Sequence, residues 1–192
     1  MKKTRYSPQQ RRRASGKTDY RKRLNLLKGG VVRLVIRKSS RSITCQAIAY
    51  SAEGDMVLAS AHSNELIKLG WKLDKKNTMS AYLVGFLLGK KALKKGVKEA
   101  VVDLGVYEST KGARVYAAAK GAADAGLNIP LGKDIVPSED RIRGKHIEEY
   151  AQKLKKDKAL LEKLFSQYIR AGVDPAHVSA YFDEMKKKIE GA

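Results

Sequence analysis

The chain has 192 residues, of which 43% are hydrophobic, and 40 Lys and Arg against 20 Asp and Glu give it a formal net charge of +20 at pH 7. This length accommodates one domain with an appendage or two small domains, and a core is possible. A sequence pI of about 10.0 favours nucleic acid or an anionic membrane as the partner. The single cysteine, Cys45, excludes an intrachain disulfide and a multi-cysteine zinc site, and is typical of a reducing cytoplasm.

The first 28 residues form a strongly basic arm, which holds eleven Lys or Arg, one acid and half of the net charge. Its few apolar residues bury too little surface to offset the entropy of ordering, so we expect it to stay solvated until a polyanion neutralises it. RNA or DNA is the usual polyanion. The predicted RNA-binding residues of this arm are Arg5, Arg11, Arg12, Arg13, Lys17, Arg21, Lys22 and Arg23.

An antiparallel meander of three strands is predicted between residues 31 and 61. The segment VVRLVIRK at 31–38 alternates, which places Leu34 and Ile36 on one face and Arg33 and Arg37 on the other. Two further strands, at 43–50 and 56–61, follow short polar turns. Short connections favour antiparallel pairing.

Helices and short strands then continue the meander into an α/β layer. We predict a short helix at 64–69, a helix at 79–95 capped by Thr78 and ended by Gly96, a parallel strand at 99–105, a helix at 113–125 and a last strand at 127–129. The apolar run 81–88 is far shorter than the roughly 20 residues that span a bilayer. Its Gly85 and Gly89 therefore predict close helix packing in a core. The lysines at 90, 91, 94 and 95 suit either the helix dipole or RNA, and the sequence leaves both open.

The carboxyl-terminal part is predicted to be helical after an irregular segment at 133–143, where Pro137 prevents a helix before Ser138. Helices are expected at 147–154, around residues 160–168, and after Asp174-Pro175. The last of these has an apolar stripe of Val178, Tyr181, Phe182, Met185 and Ile189. Its partner could be the core, the other helices or a neighbouring protein. We accordingly divide the chain into the arm at 1–28, an α/β core at 29–137 and a helical extension at 138–192.

The sequence offers little support for catalysis. It has no Gly-rich phosphate loop, and its three histidines lack the spacing of metal ligands. Cys45 is predicted to be a small core residue. A metal-dependent nuclease is a minor alternative, because Asp103, Asp55 and Glu65 could together form a carboxylate set. A DNA-binding or chromatin protein is a second alternative, because it would use the same positive charge. No helix-turn-helix or zinc-finger motif favours this second alternative.

Several segments resemble one known family. They are RRR at 11–13, GKTDY at 16–20, RLVIRKS at 33–39, ITCQ at 43–46, KGARVYAAAKGAADAGL at 111–127 and GKHIEEY at 144–150. Together they resemble the large-subunit ribosomal protein that binds 5S rRNA, family eighteen of the large-subunit set, in its archaeal and eukaryotic branch.

The resemblance implies an α/β core with the ribonuclease-H-like arrangement of the translational machinery, and no catalysis or cofactor. It implies a cytoplasmic ribosomal protein of the central protuberance, where 5S rRNA is attached to 23S rRNA beside neighbouring large-subunit proteins. No membrane and no small-molecule substrate are expected.

The folded part is predicted to present a second RNA-binding surface on the polar side of the first hairpin. Its residues are Arg33, Arg37, Lys38, Ser39 and Arg41, with Tyr50 nearby. The alternative to RNA binding is a solvated strand face for Arg33 and Arg37. For Tyr50 the alternative is packing in the core. Lys111 and Arg114 are added because they precede or begin a helix whose free N–H groups suit a phosphate.

Overall fold

A four-stranded mixed sheet lies at the centre of the structure, a computed structural model that describes residues 7–154 and 157–191. The strands are β1 (Arg33–Lys38), β2 (Ile43–Ala49), β3 (Met56–His62) and β4 (Val101–Asp103), in the spatial order β3-β2-β1-β4. The first three pair antiparallel, and β4 pairs parallel to β1. The predicted α/β fold, with a meander continued into a mixed sheet, is confirmed.

The α-helices in the described part of the chain are α1 (Arg11–Ala14), α2 (Tyr20–Leu27), α3 (Ser63–Lys68), α4 (Thr78–Lys94), α5 (Arg114–Asp124), α6 (Glu139–Arg143), α7 (Lys145–Lys153), α8 (Lys158–Leu164), α9 (Ser166–Arg170) and α10 (Val178–Glu190). A short 3-10 helix, Pro175–His177, precedes α10. None of the helices in this part is both long and apolar enough to cross a membrane.

Close contact between α4 and α5 forms the layer that covers one face of the sheet, with α4 on β2 and β3 and α5 on β1. A Cβ atom added at Gly85 would lie 1.9 Å from the carbonyl oxygen of Ala118, and one added at Gly121 would lie 2.1 Å from that of Tyr82. The backbones therefore touch where glycine leaves room. The prediction that the Gly85 and Gly89 pair packs helices in a core is confirmed.

The two ends of α4 are set by a residue that accepts a hydrogen bond from a free backbone N–H group and by a glycine that turns the chain. Asn77, and not Thr78, is the N-cap, and its side chain accepts a hydrogen bond from Ser80 N at 2.7 Å. The prediction of Thr78 as the cap was wrong by one residue because the amide oxygen of Asn77 performs the same task. Beyond the helix, Gly96 has a φ of +80°, as predicted for a left-handed end.

The core lies between the sheet and this helical layer. Trp71, Leu34, Ile36 and Phe86 are among its largest buried side chains. Cys45 is fully buried there, and burial raises the pKa of its thiol to about 12. A thiol that stays protonated in an apolar environment is a poor nucleophile, so the prediction of a small core residue is confirmed.

Three predicted elements differ from the structure. Residues 127–129 form only a single bridge, between Asn128 and Glu99. The segment predicted to be irregular ends in α6, which begins directly after Ser138. The helix expected around residues 160–168 is broken into α8 and α9 at Phe165, whose buried ring contacts Tyr150 and Tyr168 at centroid distances of 6.1 and 5.6 Å.

The apolar stripe of α10 packs on the core. Val178, Phe182, Met185 and Ile189 are buried in the same hydrophobic cluster as α4 and the sheet. Tyr181 stacks on Trp71 at 5.2 Å and donates a hydrogen bond to the carbonyl oxygen of Gly70 at 2.6 Å. Of the three partners left open by the sequence, two are observed: α10 packs on the core and also contacts α6 and α7 of the helical extension.

Candidate nucleic-acid interface

Exposed cations line the described part of the arm, which contains more structure than the sequence suggests. Asp19 caps α2 by accepting hydrogen bonds from the backbone N–H groups of Arg21 and Lys22 at 3.0 and 3.1 Å. The arm therefore contains a helix, although none of the residues of α2 is buried. The exposed predicted residues of this segment are Arg11, Arg12, Arg13, Lys17, Arg21 and Lys22. Arg5 lies outside the described residues.

One arginine of the arm connects α2 to the sheet. Arg23 Nη2 donates to both carboxylate oxygens of Asp55, each at 2.9 Å. Asp55 stands in the turn before β3, 32 positions along the chain from Arg23. The arm is thus attached to the folded core through an ion pair.

The sheet face opposite α4 and α5, called here the open face, bears an alternating set of charges. Arg33 reaches Asp55 at 2.8 Å and Asp103 at 3.1 Å, and Arg37 reaches Asp103 at 3.1 Å. With Arg23 these residues form a continuous charge network of three guanidinium groups and two carboxylates. The network joins the arm to β1 and β4.

Arg33 is buried within this network and is only 2% exposed. Both the predicted RNA-binding surface and its alternative, a solvated strand face, require an exposed side chain, and the burial of Arg33 contradicts both. A buried guanidinium is stable only when it is paired, and Asp55 and Asp103 supply the pairing. We leave Arg33 out of the surface proposed below.

Arg37 lies two residues further along β1 and has a different environment. Its side chain is 42% exposed, while Nη1 donates to the carbonyl oxygens of Asp103 and Ile36 at 2.7 and 2.8 Å. The guanidinium also packs against Gly105, whose φ of +65° turns the chain after β4. Arg37 therefore has structural bonds on one side and faces solvent on the other.

The carboxylates considered for metal chemistry are engaged by cations instead. Burial alone would raise the pKa of Asp55, but hydrogen bonds and charges from Arg33 and Arg23 outweigh it and lower the pKa. Glu65 contacts Lys91 and accepts a hydrogen bond from His62 N at 2.9 Å. Within residues 7–154 and 157–191, no group of three or more His, Cys, Asp or Glu side chains could hold a metal ion.

The end of the β1–β2 hairpin is exposed, basic and internally ordered. The Ser39 hydroxyl accepts hydrogen bonds from the N–H groups of Arg41 and Ser42 at 3.2 and 2.9 Å, which fixes the turn. Tyr107 donates to the carbonyl oxygen of Lys38 at 2.6 Å, and the Lys38 ammonium lies 5.1 Å from the Tyr107 ring centroid. Sequence reasoning missed Tyr107, because nothing near it in the chain indicates a contact 69 positions away.

Two other predicted positions lie apart from the hairpin end. Tyr50 is 60% exposed, so it is not a core residue, and Met56, which pairs with the preceding Ala49, is 56% exposed. Lys111 is exposed, whereas Arg114, at the amino end of α5, donates to the backbone carbonyl of Lys76. That end of α5 has no side-chain cap.

An open groove of about 620 Å³ separates the arm from the open face. Lys17, Lys22 and Arg23 line it from the arm, and Arg37 and Gln46 line it from the sheet. The structure thus brings the arm and the first hairpin together around one cationic groove. Such a surface attracts phosphates by charge, and the salt dependence of binding would measure how many it neutralises.

Comparison with known proteins identifies relatives along nearly the whole chain. The family model described as "Ribosomal large subunit proteins 60S L5, and 50S L18" matches residues 4–100 and 94–132. Proteins named large ribosomal subunit protein uL18 from Thermofilum pendens, Methanococcus maripaludis and Methanothermobacter thermautotrophicus are 51%, 49% and 47% identical to it. The alignments cover 98%, 93% and 97% of this chain and 96%, 93% and 96% of the relatives.

Proposed function

Because the chain belongs to the family of large-subunit ribosomal proteins described as 60S L5 and 50S L18, we propose that it binds 5S rRNA and helps to attach it to 23S rRNA in the central protuberance. Membership in this family makes the chain a structural constituent of the cytoplasmic ribosome. The proposal concerns which RNA it holds and with which residues.

The observation that carries the proposal is the set of exposed cations on the arm that no described carboxylate neutralises. Arg11, Arg13, Arg21 and Lys22 are exposed, and none of them forms an ion pair with another described residue. Such cations gain binding energy by releasing counterions from phosphates. Arginine can also stack on unpaired bases, which lysine does less well.

The hairpin end supplies the second part of the proposed interface. Lys38 and Arg41 are exposed on a turn that Ser39 holds in one conformation, and Arg37 presents part of its guanidinium beside them. Because the turn is ordered before binding, its cations lose less conformational freedom than those of a flexible segment. Phosphate contacts of this kind position an RNA and do not read its sequence.

Tyr50, Lys111 and Arg114 remain proposed contacts with separate roles. The exposed ring of Tyr50 could stack on an unpaired base. Lys111 precedes the uncapped amino end of α5, whose N–H groups attract a phosphate. Arg114 already bonds the Lys76 carbonyl, so we expect it to order this end of the helix as well as to contact RNA.

A competition experiment tests the proposal. The full chain is titrated with labelled 5S rRNA in a salt series, against an unrelated structured RNA and against duplex DNA. If roughly 6–10 phosphates are neutralised, the affinity for 5S rRNA falls by about 10³–10⁵ between 50 and 200 mM salt. We expect 5S rRNA to outcompete the other two at each salt concentration. Equal competition by duplex DNA would contradict the proposal and favour a general DNA-binding protein.

A further inference from the structure

A second groove lies in the helical layer, away from the open face. It has a volume of about 430 Å³ and is bounded by α3, the carboxyl-terminal half of α4 and the end of α10. Leu69, Leu87 and Ile189 supply its apolar lining. Leu69 is half-buried, and the edges of the two deeper residues complete the floor.

Lysines surround this apolar floor. Lys68 of α3 and Lys90, Lys91 and Lys94 of α4 line the groove together with one acid, Glu65. Lys91 contacts that acid and donates to the carbonyl oxygen of Ser60 at 3.0 Å, so this pair serves the packing of α3, α4 and β3. Because Glu65 pairs with Lys91, it does not neutralise Lys68 or Lys90 on the rim.

The Lys90 side chain packs along α4 beside the groove. Its ammonium lies 5.5 Å from the ring centroid of Phe86, one turn back on α4. Long lysine side chains cover apolar surface with their methylene groups while the charged end stays in water. The groove itself combines an apolar lining of Leu69, Leu87 and Ile189 with lysine side chains around it.

This combination distinguishes a protein partner from RNA. An RNA phosphate binds cations but gains no binding energy from a floor of leucine and isoleucine. An amphipathic helix, in contrast, presents apolar side chains every three or four residues, with charged residues beside them. We infer that the groove binds an acidic amphipathic segment of another protein, which places Leu or Ile side chains on the floor and carboxylates beside Lys68 and Lys90. The complementary charge selects an acidic segment over a basic one.

The inference is independent of the RNA proposal because it concerns different residues on another face of the molecule. It also assigns a role to lysines that the sequence left open between the helix dipole and RNA. Lys95 and Lys98 provide a matched pair of controls, because both are exposed cations near the same end of α4 and neither lines the groove.

Methyl NMR on the full chain tests the inference. The probe is a synthetic helical peptide with Leu on one face and Glu beside it, and its control is a peptide of the same composition with scrambled order. We expect the first peptide to shift the methyl signals of Leu69, Leu87 and Ile189, and the scrambled peptide to leave them unchanged. The equal charge of the two peptides separates groove binding from general attraction to a basic protein.

Charge-reversal variants then test whether Lys68 and Lys90 contribute to peptide binding. The double variant Lys68→Glu/Lys90→Glu should bind the ordered peptide at least about tenfold more weakly, and Lys95→Glu/Lys98→Glu should bind it within about twofold of the parent chain. The wild-type titration gives a result even if a variant fails to fold.

Three results would overturn the inference: no shift with the ordered peptide, equal shifts with both peptides, or shifts of these methyl groups by 5S rRNA in place of the peptide. Failure of the RNA proposal is a separate result, because it would appear as loss of 5S rRNA preference while the peptide still binds.

Discussion

The two faces of the sheet are held by different forces. On one face α4 and α5 pack through apolar side chains and glycines, so that backbone lies against backbone at Gly85 and Gly121. On the open face the charge network of Arg23, Asp55, Arg33, Asp103 and Arg37 connects four parts of the chain. The comparison shows that a cationic side chain in a basic protein can stabilise the fold and need not bind a ligand. Whether it does so depends more on its burial than on its residue type.

Arg33 and Arg37 illustrate the difference within a single strand. They occupy the same face of β1, two residues apart, yet Arg33 is 2% exposed and the Arg37 side chain is 42% exposed. Burial and ion pairs with Asp55 and Asp103 make the first a structural residue. An exposed guanidinium remains available to phosphate, and a buried one holds the fold.

Arg33→Met should have the largest effect on stability. The change leaves Asp55 and Asp103 without their shared cation, and breaking a buried ion pair in this way costs about 3–5 kcal/mol. Urea unfolding of the variant measures this loss in the free energy of unfolding. Arg41→Met, at an exposed hairpin position, is the control and should change stability by less than about 0.5 kcal/mol. Equal stabilities for both variants would show that Arg33 is not structural.

Gly121→Ala tests the other face of the sheet. The added methyl group would meet the carbonyl oxygen of Tyr82 at 2.1 Å, so the two helices must separate, at a cost of about 3 kcal/mol. Thermal and urea unfolding report the change. Gly132→Ala is the matched control, because its nearest neighbour, an Ile135 methyl carbon, would lie 3.7 Å away. A stable Gly121→Ala variant would mean that the helices are not in close contact.

Asp55→Asn should have a smaller effect that depends on pH. The pKa of Asp55 is lowered in the folded chain, so its carboxylate stabilises the fold above the ordinary pKa of aspartate, and this contribution is lost as pH falls through the lowered pKa. Since Asp55 is partly exposed, we expect a difference of about 1 kcal/mol near pH 7. Unfolding curves of both proteins measured from pH 7 to strongly acidic conditions should converge at the acidic end. A constant difference across the series would assign the effect to another group.

Much of the fold follows from local patterns in the sequence. Alternation gave β1 and β2, helical periodicity gave α4 and α5, and Asp174-Pro175 marked the start of the last helical segment. These patterns predict structure correctly because each depends only on residues that are close together in the sequence. The helix break at Phe165 was missed because that ring is buried by contacts with Tyr150 as well as with its own neighbours.

The candidate site could be predicted only in part, because some of its residues depend on contacts between distant parts of the chain. Exposed cations of the arm and the hairpin end follow from composition and alternation. The burial of Arg33 depends on Asp55 and Asp103, and the second of these is 70 positions away. No local pattern indicates such a pairing. Relatives with high identity show the family, but the sorting of cations into buried and exposed groups required the structure.

The most direct test of the account measures RNA affinity and stability together for exposed cations. The triple variant Arg11→Gln/Arg13→Gln/Lys22→Gln should bind 5S rRNA more weakly and lower the slope of log affinity against log salt by about 3, because roughly one phosphate contact is lost per cation. Its free energy of unfolding should change by less than about 0.5 kcal/mol. The control variant Lys95→Gln/Lys98→Gln/Lys133→Gln removes three exposed cations elsewhere and should retain the parent slope. An unchanged slope in the arm variant, or an equal loss in the control, would contradict the proposed interface.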